Sequence, residues 1–118
     1  VSCKGKDKRV GVMSQHFFET EYKGKKVKVF AGWDRPLQGF FMIVEDLDAR
    51  DKDNPYIYNN LAQRDSHPKT FDPFIHALVD LGIVIPKEMI DEIVADGISD
   101  MRYKVVEHSY ENGKYVRK

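Results

Sequence analysis

Between His16 and Trp33 the chain alternates, turns once and alternates again, which constrains the fold more than any other feature. HFFETEY, the turn Lys23-Gly24-Lys25 and KVKVFAGW read as two antiparallel strands, with Gly24 able to take the positive φ of a tight hairpin. In the second strand Val27, Val29, Ala31 and Trp33 share one face, while Lys26, Lys28 and Phe30 share the other. A sheet with one core face and one half-wet face follows.

GWDRPLQGFFMIVE continues the pattern. Pro36 supplies the fixed φ of a turn's second position, and Gly39 suits the left-handed region after it, so the expectation is a short hairpin loop. FFMIV is apolar throughout, which in so short a run predicts a strand covered on both faces, in the middle of the sheet. Glu45 to Ser66 is rich in Asp, Asn, Lys and Arg and reads as a long connection, with a short edge strand at Tyr56-Ile57-Tyr58.

Two helices follow. Thr70 or Asp72 can cap the first, Pro73 suits an early helical position, Phe74, Ile75, Leu78 and Leu81 line one face, and Gly82 closes it. Pro86 opens the second, whose stripe is Met89, Ile90, Ile93 and Val94, with Gly97 as its expected end. The tail returns to strand character around Asn112-Gly113, a type I′ hairpin signal. The class is α+β: an antiparallel sheet of about four to six strands with a two-helix hairpin packed on one face.

Residues 1–12 are polar and precede Met13 and the first aromatic cluster; they read as a flexible leader, with 13–118 as a single domain. A chain of 118 residues with 42% hydrophobic and 32% charged content has enough apolar surface to build a core and is not of disordered composition. Nineteen basic and nineteen acidic residues cancel, which removes the bulk electrostatic case for nucleic acid. The second helix carries Glu88, Asp91, Glu92 and Asp96 against Lys87, a face that repels DNA. No apolar run approaches the roughly 20 residues of a membrane span. The single cysteine, Cys3, points to a reducing, cytoplasmic setting.

Chemical motifs are sparse. Asp46, Asp48, Asp51, Asp53 and Asn54 miss the EF-hand pattern, since Arg50 stands where an acidic ligand should and no closing glutamate follows. His16, His67, His76 and His108 form no HxH or HExxH spacing, so neither a metal nor another cofactor is expected. The serines lack a nucleophile elbow. Asp34, Arg35, Arg64, His67 and Asp72 are a polar set that would suit acid–base or anion-binding work if one end of the sheet gathered them.

At GWDRPLQGFFMIVE and HPKTFDPF the chain resembles small bacterial proteins of the kind carried on mobile, integron-type gene cassettes, over roughly Met13 to Val106. The group has no assigned activity, so the resemblance assigns no role to any residue.

The functional expectation is a non-catalytic cytoplasmic binding or accessory protein, a homodimer or the partner of another protein. It would act through an apolar sheet face and the Trp33–Leu37 hairpin tip, with Phe30, Trp33, Arg35 and Leu37 as contacts. The alternative is a small enzyme or small-molecule binder centred on Asp34, Arg64, His67 and Asp72.

Overall fold

A computed structural model describes residues 13–48, 55–60 and 66–118. The expected leader, Arg64, and the Asp51, Asp53 and Asn54 part of the acidic cluster lie outside these residues. Strands β1 (Ser14–Tyr22), β2 (Lys25–Asp34), β3 (Gly39–Asp46) and β4 (Tyr56–Asn59) precede helices α1 (Asp72–Leu81) and α2 (Lys87–Ile98). Strands β5 (Lys104–Glu111) and β6 (Lys114–Arg117) follow. The six strands form one sheet in the order β4-β3-β2-β1-β5-β6, an α+β fold.

The sheet departs from all-antiparallel at one place. β1 and β5 run parallel, pairing from Ser14↔Lys104 to Phe18↔His108. The two helices lie between β4 and β5 in sequence, and so long a crossover is what a parallel pair needs. FFMIV is an interior strand as expected, though second from the edge rather than central, and Tyr56–Asn59 forms that edge.

Both short hairpin turns follow their local chemistry. Lys23 and Gly24 take φ of 52° and 79°, and Asn112 and Gly113 take 54° and 78°, the paired positive values of a type I′ turn. The β2–β3 turn differs from expectation: Gln38 takes the left-handed conformation (φ 51°), while Gly39 already belongs to β3. Gly39 is needed for close approach instead. A Cβ there would lie 2.3 Å from the His67 carbonyl oxygen, beside the bond that Phe40 N–H donates to the Pro68 carbonyl.

The core lies between the helices and the sheet face bearing Phe18, Val29, Ala31 and Met42, into which α1 sends Phe74 and Leu78 and α2 sends Met89 and Ile93. Gly82 ends α1 in the left-handed region as expected, but neither Thr70 nor Asp72 caps its start by a side chain. Gly97 does not end α2, which runs to Ile98. Its missing side chain makes room for aromatic rings, since a Cβ would lie 2.5 Å from Cζ of Phe40. On the opposite sheet face Phe17 stacks on Phe30 with centroids 4.7 Å apart, and Phe30 meets Phe41 edge-on at 5.0 Å. The C-terminal hairpin does not fold over that face; it extends the sheet edge as β5 and β6.

Candidate functional site

The expected hairpin-tip contacts separate. Trp33 is not at the tip: as a core-facing residue of β2 it is 6% exposed, and its Nε1–H donates to Asp100 Oδ1 at 2.9 Å. Arg35 is exposed and donates through Nε to the other oxygen of Asp100 at 3.0 Å, while Gln38 Nε2 adds a third bond at 2.8 Å. These bonds, from Trp33 first, hold the Asp100 carboxyl below its usual range. Leu37 is exposed and Phe30 is half-buried on the helix-free face. Trp33 and Arg35 therefore clasp the β2–β3 turn to the residues after α2, while Leu37 at the tip stays exposed.

The expected polar set assembles in part. Asp34 is buried, accepts the Leu37 N–H at 3.2 Å, and lies 3.9 Å from His67 Nε2. Asp72 is exposed at the start of α1, where it borders a different groove with Trp33 and Phe40. Arg64 lies outside the described residues. Of the acidic cluster, Asp46 and Asp48 are turn acceptors: Asp48 N–H donates to Asp46, and Lys26 N–H donates to Asp48.

The larger concentration of chemistry lies where α2 crosses β1, β5 and β6. Spacing explains it. Met89, Ile93 and Asp96 recur on one helical face, so the core-facing stripe of α2 ends in a carboxylate that is 1% exposed. Period two puts Ser14, His16 and Phe18 on the core face of β1, and Lys104, Val106 and His108 on that of β5. The type I′ turn sets His108 opposite Arg117 and Tyr110 opposite Tyr115.

Four side chains then form a line. Asp96 Oδ2 lies 2.6 Å from His16 Nε2, His16 Nδ1 lies 2.8 Å from His108 Nε2, and His108 Nδ1 lies 2.5 Å from the Tyr115 hydroxyl. Charge assigns the protons. An ionised carboxylate only accepts, so His16 carries a proton on Nε2 toward Asp96. One hydrogen lies between His16 Nδ1 and His108 Nε2, and one between His108 Nδ1 and the Tyr115 oxygen. Burial first, and the neighbouring His16 second, push the His108 ring down to about 4, which keeps it neutral near pH 7. Burial likewise pushes the Tyr115 phenol up, so it retains its proton.

A second line balances the charge. Lys104 Nζ donates to Asp96 Oδ1 and to Glu92 Oε2, both at 2.8 Å, and Arg117 makes a two-pronged pair with Glu92 at 2.8 and 2.6 Å. Burial would raise the Asp96 carboxyl, but the bonds from His16 and Lys104 outweigh it and hold it low. The Arg117 bond is the main reason that the Glu92 carboxyl falls to about 2. Asp96 and Glu92 thus face Lys104 and Arg117 beside the two imidazoles.

His108 also borders a cleft of about 550 Å³. β1–β5 pairing stops at Phe18↔His108, and the cleft lies between the continuing strands, bounded by Glu19 and Thr20 on one side and Ser109 and Tyr110 on the other. Lys28, Glu107 and Lys118 complete its charged rim. Both ring nitrogens of His108 are occupied by His16 and Tyr115, so no free imidazole base faces the cleft.

No sequence motif announced this site. His16 and His108 are 92 positions apart and meet only through the parallel β1–β5 register. The available signal was period two: each histidine stands two residues from a core residue, Phe18 and Val106 respectively. Comparison with protein-family models, curated proteins and solved structures gives no match.

Proposed function

We propose that the protein is a non-catalytic cytoplasmic binding protein whose site is the cleft at the carboxyl ends of β1 and β5. The observation that carries this reading is the cleft itself, about 550 Å³ at the point where the one parallel pair separates. Ligand sites commonly fall between 300 and 1,000 Å³, and open sheets take ligands beyond the carboxyl ends of parallel strands. The occupied nitrogens of His108 favour binding over acid–base catalysis. Cys3, the chain's single cysteine, supports the cytoplasmic part.

The rim suggests the ligand class. Lys28 and Lys118 offer cations, Glu19 and Glu107 offer carboxylates, and Phe17 and Phe18 provide an apolar wall. A short zwitterionic peptide with an apolar side chain meets all three. The test is a titration of the ¹⁵N-labelled full chain with the dipeptide Phe-Gly and with its N-acetylated amide. The expected result is saturable shifts at Thr20, Ser109 and Tyr110 with the zwitterion, weakened with the capped form and in Glu107→Lys. Absence of saturable shifts with either form, or shifts confined to other surfaces, overturns the reading.

A second reading is a homodimer through the helix-free face, favoured by the half-buried Phe17 and Phe30 and by Val105 at 45% exposure. It predicts a doubled molar mass in light scattering that falls on dilution and is abolished by Phe30→Lys. A monomer at all concentrations removes it.

A further inference from the structure

The inner nitrogens of His16 and His108 point at one another across 2.8 Å, while each outer nitrogen is held by an oxygen. Histidines that ligate metals characteristically have the other ring nitrogen held by a carboxylate, carbonyl or similar partner, which fixes the ring and its tautomer. Here Asp96 holds His16 and Tyr115 holds His108. Glu92 supplies a third donor, and one ligand atom from each of His16, Glu92 and His108 lies within 4.8 Å of the others.

We propose that His16 Nδ1, His108 Nε2 and a Glu92 carboxylate oxygen bind a divalent transition metal of the zinc class, with Asp96 and Tyr115 as outer partners. Two imidazoles and a carboxylate are a zinc-type donor set that leaves a fourth position open. Zinc–nitrogen bonds of about 2.0–2.1 Å at a tetrahedral angle require the two nitrogens to stand roughly 3.3 Å apart. The rings therefore separate by about half an ångström beyond their 2.8 Å contact.

The hydrogen between the facing nitrogens must leave that position for both to become ligands. His16 keeps its hydrogen on Nε2 toward Asp96, and His108 Nδ1 can donate to the Tyr115 oxygen, which turns its own hydrogen away.

Lys104 and Arg117 oppose the ion. Lys104 already contacts Asp96 as well as Glu92, and Arg117, 48% exposed at its side chain, can release one of its two bonds toward solvent. Two added positive charges in a network that is already balanced make this a weaker site than a thiolate-rich structural one. Removal of the Lys104 charge should accordingly tighten metal binding several-fold while lowering fold stability, a pairing that a merely structural role for Lys104 would not produce.

The test is a titration of the full chain with Co²⁺, followed by its visible d–d absorption, and competition with Zn²⁺. One saturable equivalent, lost in His108→Gln and tightened in Lys104→Gln, is the expected result. Circular dichroism establishes that each variant is folded. An imidazole ¹⁵N spectrum of the unmutated chain with Zn²⁺ gives a check free of any variant, with shifts expected at His16 Nδ1 and His108 Nε2. Absence of saturable binding by the folded chain, or binding unchanged in His108→Gln with both imidazoles unshifted, overturns the proposal. The cleft ligand enters neither measurement, so this site and the cleft stand or fall separately.

Discussion

The indole of Trp33 donates to Asp100 Oδ1 at 2.9 Å, tying the end of β2 to the residue two places after α2. Its ring is 6% exposed and packs edge-on against Phe40, with centroids 4.9 Å apart. Trp33→Ala should therefore cost about 3–5 kcal/mol of stability, the range for truncating a buried aromatic, and shift the urea midpoint accordingly. A change in association on this substitution would report damage to the core. Arg35→Ala breaks only an exposed pair and should cost less than about 1 kcal/mol.

The same clasp sets a pH dependence. Hydrogen bonds from Trp33, Arg35 and Gln38 lower the Asp100 carboxyl from its ordinary 3.8, so the folded state favours the ionised form. That contribution is full above 3.8 and is lost as pH falls through the lower folded value. Among the described residues, Arg35 is the charged group bonded to it. The stability difference between the unmutated chain and Asp100→Asn should be largest near neutrality and shrink in acid, with Trp33 fluorescence as the probe. A difference that stays constant from pH 7 to pH 3 would contradict this assignment.

Asp96 is the buried junction of two lines of hydrogen bonds, one to His16 and one to Lys104. Asp96→Ala leaves a lysine without its buried acceptor and an imidazole N–H without a partner, an expected loss of about 3–5 kcal/mol. Asp96→Asn retains one acceptor oxygen and should lose less. Thermal unfolding of both variants against the unmutated chain gives the order; equal losses would mean that the acceptor oxygen kept by asparagine contributes nothing without the charge.

Local chemistry made much of the fold legible. The alternation of Val27, Val29, Ala31 and Trp33, the Asn112-Gly113 turn and Gly82 after α1 each specify their structure within a few residues. The parallel β1–β5 register was not legible in this way, because it depends on how two helices return the chain to the sheet. The histidine pair depends on that register and stayed hidden with it. Trp33 and Arg35 looked alike as turn-flanking anchors, yet strand periodicity already put Trp33 on the core face with Val29 and Ala31. The sequence cue for exposure was the turn, and the pleat overrode it.

Two glycines separate backbone clash from side-chain crowding. A Cβ at Gly32 would lie 1.9 Å from the Ser14 carbonyl oxygen, in the region where Ser14 Oγ also accepts the Trp33 N–H. A main-chain atom held in paired strands cannot swing aside, so Gly32→Ala should exceed the usual overpacking cost of about 1–3 kcal/mol. At Gly97 the obstacle is the Phe40 ring, and the site is helical, where alanine is favoured over glycine by about 1 kcal/mol. Phe40 is 4% exposed and flanked by Trp33 and Phe71, which limits how far it can yield. Gly97→Ala should thus be destabilising by about 2 kcal/mol or less, the overpacking cost less the helical gain. Urea unfolding of the two alanine variants should place Gly32→Ala well below Gly97→Ala; the reverse order would mean that the β1–β2 contact is looser than the packing of α2 on the aromatic rings.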